Sequence, residues 1–358
     1  MEKLEFLVAT GLSFYSPDYE FKLSDLLLNK IWNFRVLQSP NGPISLQLGT
    51  QPITNATGNA GDMVDIGGLS VRFQDALDAA MGKWLPLPYS RRDASQGNTS
   101  RSVDWARAFL YRPPLQTDDS MFRMVLAVDT TVNSNTGSDS QRNENRGIFP
   151  EDIGVPLEAN PGALAFWQTP TMLTWVKNIL KSVPAEGGEK VPPHAVALAA
   201  FIALADGLRQ AEVLPEITLL QPEGEEIGVN LILDLGNSRA CGILVEQTPG
   251  QPVSLDECCK LEIRDLQEPG RVYTEPFDTS FKFMPPLFID QENTIPQSET
   301  NFRWPSIVRL GQEAARMEPS DVGDTGMSSP KRYLWDQAQR HFPWYFNLAD
   351  DSLGKKIN

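Results

Sequence analysis

Apolar residues in the first half of the chain fall in short runs punctuated by Gly, Pro and Asn. Residues 4–10 and 31–37 combine β-branched and aromatic side chains and predict strands, with another over 45–49. Residues 55–61 form a Gly/Asn loop. VDIGGLS, residues 64–70, reads as a further loop that ends in an N-cap type, Ser70. A helix is then expected over 71–84, because Phe73, Leu77, Ala80, Met81 and Trp84 share one helical face. Residues 86–101 read as loop and 103–111 as a helix stopped by Pro113 and Pro114. A strand is expected over 121–132, and a polar surface loop or a disordered excursion over 133–146. Asn160-Pro161 and Thr169-Pro170 are cap-plus-proline helix starts. The second opens a helix to about Lys181 with Leu173, Trp175, Val176, Ile179 and Leu180 on one stripe. After a hinge-like linker over 184–193, residues 195–212 are apolar on nearly all sides and predict a buried helix.

A short strand over 216–220 and an acidic turn over 221–226 close this half. Beyond the turn, the pattern changes to strands. Residues 229–235, 240–246 and 259–265 predict an antiparallel meander that opens a mixed sheet. A Pro-rich aromatic stretch leads to a strand over 306–310, a short helix over 312–317 and another over 330–340. The expected fold class is α/β, with an N-terminal α/β domain over 1–222 and a second domain over 228–358.

Charge and composition narrow the partners. The chain has 358 residues, 41% hydrophobic, and a formal net charge of −15. Such a balance argues against a sequence-independent grip on nucleic acid and against docking on anionic lipid. A nucleotide pocket is compatible with it, because backbone N–H groups and one or two cations suffice. Three cysteines and two histidines leave no disulfide framework and no tetrahedral zinc set. Acidic residues at the N-terminus do not suit a signal peptide, and the most apolar window, residues 195–205, is too short to span a bilayer. A cytoplasmic protein without membrane insertion is expected.

Candidate chemistry gathers in VNLILDLGNSRACGILVE, residues 229–246. An apolar strand ends in Asp234, a polar turn of Gly236, Asn237, Ser238 and Arg239 follows, and a second apolar strand returns. Glycine is expected here to take φ > 0 and bring the backbone close to a ligand. Successive turn N–H groups can form an anion nest, Asn237 and Ser238 add side-chain donors, and Asp234 can hold a hydrated Mg²⁺. An ordinary hairpin turn explains the same residues, since Gly-Asn is a common turn pair. Elsewhere, AVDTTV at 127–132 lacks the glycine and reads as a buried strand end. Of Cys258 and Cys259, one is expected to be buried. His341 lies in an aromatic cluster read as packing or as marking an interface.

DLGNSRACGILVE resembles the first phosphate motif of the actin, sugar kinase and heat-shock chaperone ATPase superfamily. Two later stretches follow in family order. RWPSIVRLGQEAARM, residues 303–317, is similar to the chaperone segment of Pro-Ser, strand and short helix, with Pro305 and Ser306 opening the strand. SSPKRYLWD, residues 328–336, is similar to the segment that carries a catalytic lysine. The resemblance implies ATP and Mg²⁺ as cofactors in the complete protein and a first subdomain of the actin-like, ribonuclease H-like ATPase fold. It implies that Asp234 orders the water shell of the Mg²⁺, that Gly236, Asn237 and Ser238 cradle the phosphates, and that Lys331 approaches the γ-phosphate. Arg239 replaces a small or aromatic residue and either pairs with phosphate or is a solvated turn cation. Lys331 is equally compatible with a surface helix position.

A narrower resemblance is to the bacterial SrfB virulence-factor family, long proteins with an extension before an Asp-Leu/Ile-Gly-Asn-Ser-Arg motif. No Asp-x-Gly-Gly motif lies downstream of the hairpin. The expectation is therefore an N-terminal part of a longer ATPase, with nucleotide as ligand and an unidentified protein partner. An inactive binding or scaffold protein that retains the half-fold is the alternative.

Overall fold

The computed structural model describes residues 2–38, 44–48, 51–52, 64–91, 105–114, 118–132, 148, 150–160, 170–184, 186–187, 191–224, 228–247, 258–283, 308–316, 326–327 and 331. The chain divides into two compact units, Met1–Pro222 and Glu223–Asn358. In chain order, the first unit contains β1 (Lys3–Leu7), β2 (Leu12–Tyr15), β3 (Ile31–Gln38), β4 (Ile44–Leu48), β5 (Val64–Arg72), α1 (Phe73–Ala80), β6 (Trp84–Pro86) and β7 (Tyr89–Arg91). It continues with β8 (Ala106–Tyr111), β9 (Met121–Asp129), β10 (Pro156–Ala159), α2 (Pro170–Leu180), α3 (Pro193–Gln210) and β11 (Glu216–Leu220). Two-residue strands, the four-residue helix Asp25–Leu28 and the 3-10 turn Pro150–Asp152 are left unnumbered.

Three sheets surround one hydrophobic core in this unit. The first has the order β1-β11-β10-β7, with β1 and β11 parallel in the register Leu4↔Ile217. The second is antiparallel, β2-β9-β8-β6. In the third, β5, β3 and β4 are flanked by Glu186–Gly187 and Gln51–Pro52. Helix α3 packs on this third sheet and against α1 and α2. Its buried residues run from Ala195 to Leu208 on nearly every side, which the all-apolar pattern anticipates. Pro193 opens the helix, where its missing N–H costs nothing. At the other end Glu212 adopts φ 56°. The Glu212 amide donates to the Arg209 carbonyl and the Val213 amide to the Leu208 carbonyl, closing the last turn in a Schellman motif. Buried Val213 and Leu208 supply the matching apolar contact.

Local pattern misleads at two places. Residues 103–111 are expected to be helical, yet Ala106–Tyr111 is a strand between β6 and β9, with Phe109 opposite both Trp84 and Val125. Its first five residues are buried, so no polar alternation marks it as strand. Residues 64–70 are not a loop, and Ser70 is not a cap. They lie in β5, and the Ser70 hydroxyl donates to Asn33 Oδ1 on neighbouring β3 at 2.7 Å. A register shift at Val36/Leu37 accommodates Gly67, whose φ of 140° is open only to glycine. Asp65 accepts from Arg35 at 2.7 Å and from the Gly67 amide at 3.0 Å, so VDIGG is a bulged strand. Pairing with β3 overrides the low strand propensity of two glycines. Helix α1 is correspondingly short. Its C-cap, Met81, is extended (φ −58°, ψ 137°), and Gly82 at φ 71° turns the chain into β6.

The second unit contains β12 (Gly228–Leu235), β13 (Arg239–Gln247), β14 (Phe281–Phe283), β15 (Val308–Leu310) and α4 (Gly311–Arg316). Strand β13 pairs with β12 on one side and with Cys259–Lys260 and Phe277–Asp278 on the other. All strand pairs described in this unit are antiparallel, whereas a mixed sheet is expected from the sequence. The expected strand over 259–265 is also split. Ile263–Arg264 pairs with Val272–Tyr273 instead of continuing along β13. Asp265 then turns inward. It is fully buried and accepts from the Gln267 and Glu268 amides and from the Arg316 guanidinium. Arg309 and Glu313 form a second buried pair at 3.3 Å, and Glu313 also accepts from the Leu266 amide. Burial pushes the Glu313 carboxyl up, against the pull of Arg309 and the Leu266 amide. These contacts fasten α4 to the 264–268 turn. Cys258 is half-buried and Cys259 exposed, so neither is the buried member the sequence suggests. Among the described residues no helix is long and apolar enough to cross a membrane.

The lack of room beside Gly207 yields a test. A Cβ on Gly207 would lie 2.2 Å from Cε2 of Phe73, whose ring is fully buried. Gly207→Ala should therefore cost about 3 kcal/mol, the upper end of overpacking penalties, and lower Tm by several degrees in a circular-dichroism melt. Adding Phe73→Leu should recover part of that loss.

Candidate functional site

The hairpin of β12 and β13 carries the candidate site. Its ladder runs from Gly228↔Gln247 to Leu235↔Ala240, with Asp234 opposite Cys241. Alternating apolar residues supply both strands, and Gly236 ends the first. The turn closes when the Gly236 amide donates to the Arg239 carbonyl at 2.9 Å. Glycine is needed there for proximity. A Cβ would stand 2.4 Å from that carbonyl oxygen. The expected φ > 0 is not found, since Gly236 is absent from the left-handed residues of the chain. Asn237 and Ser238 are likewise not left-handed, so the turn is not of the I′ class.

Asp234, Asn237, Ser238 and Arg239 are all exposed, and Gly236 is half-buried. Among the described residues, the side chains of these four make no hydrogen bond or ion pair, and no acceptor meets the N–H groups of Asn237 and Ser238. The carbonyls are different. The Thr279 hydroxyl donates to the Asn237 carbonyl at 3.0 Å, and the Thr279 amide donates to the Ser238 carbonyl at 3.2 Å. Thr279 follows Phe277–Asp278, which pairs with the first residues of β13, Arg239 opposite Asp278 and Ala240 opposite Phe277. Its own segment is fixed in turn. The Ser280 amide and hydroxyl donate to Asp278 Oδ1, and the Ser280 carbonyl accepts from the Gly311 amide at the start of α4. Sequence reading missed Thr279. The only available signal was Asp278-Thr279-Ser280, a run of residues that bond to nearby backbone.

The later motif residues are placed unevenly. Val308–Leu310 and Gly311–Arg316 form the strand and short helix of the 303–317 segment, whereas Pro305 and Ser306 lie outside the described residues. Lys331 has helical backbone and is half-buried. No hydrogen bond or ion pair joins it to the turn among the described residues, and the rest of 328–336 lies outside them. His341 and its aromatic neighbours, residues 133–146 and 55–61 also lie outside. Among the described residues no cluster of three or more His, Cys, Asp or Glu could ligate a metal directly.

One further feature bears on partners. Strand β12 forms the edge of its sheet, and Val229, Leu231, Ile232, Leu233 and Leu235 are 46–52% exposed. Both faces of an apolar strand are thus uncovered within the described unit.

By architecture this is a mixed α/β protein of several sheets and few helices, carrying an exposed polar hairpin turn. A family model described as virulence factor SrfB matches residues 18–355, across both units, and the chain belongs to that family. No curated protein and no solved structure gave a match.

The geometry of Gly236 predicts a local effect. Gly236→Ala forces backbone against backbone, so the Gly236–Arg239 closure should open. Hydrogen exchange of the amide at position 236 should accelerate by about tenfold or more relative to wild type, while the core of the first unit keeps its protection.

Proposed function

We propose that the turn Gly236–Asn237–Ser238–Arg239 is a phosphate-binding element for ATP·Mg²⁺, within a virulence-associated protein related to the actin and chaperone ATPases. The observation that carries this reading is the asymmetry of the turn. The Asn237 and Ser238 carbonyls are engaged by Thr279, whereas the N–H groups and side chains of these two residues meet no partner among the described residues. A cluster of unengaged donors suits an anion. Asn237 and Ser238 would supply amide and side-chain donors to the terminal phosphates. Arg239 would add a positive charge in an otherwise acidic protein. The Asp234 carboxylate, exposed and unengaged, would hold Mg²⁺ through water, which needs no ligand cluster in the protein. The bound Mg²⁺ would neutralise charge on the phosphates. Lys331 would approach the γ-phosphate as a point charge.

A second reading is favoured by the uncovered apolar edge of β12. There the half-fold serves as a binding or scaffold surface for a protein partner, and nucleotide affinity is absent. Calorimetric titration of ATP·Mg²⁺ into residues 1–358 separates the two. The phosphate reading predicts a saturable heat that weakens by about tenfold, or 1.4 kcal/mol, in Asp234→Ala and in Ser238→Ala. Removing Mg²⁺ with EDTA should weaken wild-type binding and leave Asp234→Ala little changed. Lys331→Ala should reduce affinity for ATP more than for ADP. No heat from the wild-type chain would favour the scaffold.

A further inference from the structure

We infer that Thr279 is a positioning residue for the phosphate turn, setting which side of the turn carries only donors. The inference rests on the phosphate reading above and identifies a residue that the motif does not contain. Thr279 is 7% exposed, and it spends both of its donors on the same target. Its hydroxyl reaches the Asn237 carbonyl and its amide the Ser238 carbonyl.

The consequence follows from peptide geometry. Every described peptide bond is trans, so the C=O of one residue and the N–H of the next point in opposite directions. Drawing the Asn237 carbonyl toward Thr279 turns the Ser238 N–H away from it. Drawing the Ser238 carbonyl toward Thr279 turns the Arg239 N–H away in the same manner. Free carbonyls in this turn would repel a phosphate oxygen. With both captured, the opposite side presents the Ser238 and Arg239 N–H groups. The clamp also has a fixed base. Thr279 lies between the Phe277–Asp278 pairing with β13 and Ser280, whose carbonyl accepts from Gly311. Gly311, at φ 64°, opens α4, and α4 is held through Arg316 to Asp265 and Glu268. The orientation of the turn is thereby tied to packed structure as well as to the two-residue turn itself.

The test uses the whole chain, residues 1–358, with ATP·Mg²⁺ as the probe. Thr279→Val keeps the shape and the amide but removes the hydroxyl, and Thr279→Ser restores it. With far-UV circular dichroism unchanged, Thr279→Val should weaken ATP·Mg²⁺ binding by about tenfold, the scale of one hydrogen bond. It should also speed exchange of the Gly236 amide. Thr279→Ser should stay within about twofold of wild type in both measurements, since its hydroxyl can make the same bond. A merely structural role would not be rescued in this way, because serine lacks the packed methyl group. Wild-type affinity in Thr279→Val, or equal losses in the valine and serine variants, overturns the inference and leaves the phosphate reading standing. A wild-type chain that binds no ATP·Mg²⁺ removes the phosphate reading, and with it the positioning role. If Thr279→Val does not fold, the wild-type protein decides. A Thr279 amide that exchanges as fast as an open loop overturns the clamp.

Discussion

The bare Cα of Gly207 sets how closely α3 can approach the buried Phe73 ring of α1. Helix α3 lies in the core with almost no polar face, and it approaches α1 closely because one position carries no side chain. Close packing of this kind leaves few ways to shift one element without the others. The third sheet, whose strands β3, β4 and β5 lie against α3, is placed by the same helix. The polar groups at its margin are accounted for locally. Asp206 accepts from the Trp32 indole at 3.1 Å and from Arg209 and Gln210.

Among its described residues, the second unit pairs a few buried apolar side chains, Ala240, Val245 and Ala314, with a set of buried hydrogen-bonded charges. Asp265, Glu313, Arg309 and Arg316 form buried or partly buried pairs around α4. Removing one partner of such a pair leaves an uncompensated charge, whereas the intact pair adds little net stability. Specificity of arrangement is the better account of their role. Through Gly311, Ser280 and Thr279 that arrangement extends to the hairpin turn. A polar turn is thereby given a defined donor side, although the residues that define it lie some forty positions further along the chain.

Membership of the virulence factor SrfB family rests on a match across nearly the whole chain, and it includes the first unit as well as the hairpin. The match thus covers the first unit from residue 18 onward. Its sheets enclose their own core, while β12 in the second unit leaves apolar side chains uncovered on both faces. An exposed apolar edge of this kind invites pairing or covering by another segment.

Sequence periodicity by itself determined the elements whose neighbours only confirm their shape. The α3 helix, the amphipathic α2 helix and the strands β3, β9 and β11 follow from local pattern and capping residues, and so does the hairpin around Asp234. The SrfB resemblance also came from residues alone. Tertiary structure decided the rest. Ala106–Tyr111 is a strand because both of its faces are buried, which erases the alternation that would announce it. Val64–Arg72 is a strand because β3 supplies the hydrogen bonds that its glycines discourage. The reason for Gly236 is the Arg239 carbonyl, not a left-handed φ. Thr279 could not be found from the motif, because its role is a pair of bonds across sequence-distant backbone. Local pattern encodes what a residue contributes to its own element, whereas hydrogen-bond partners from distant segments exist only once the chain has folded.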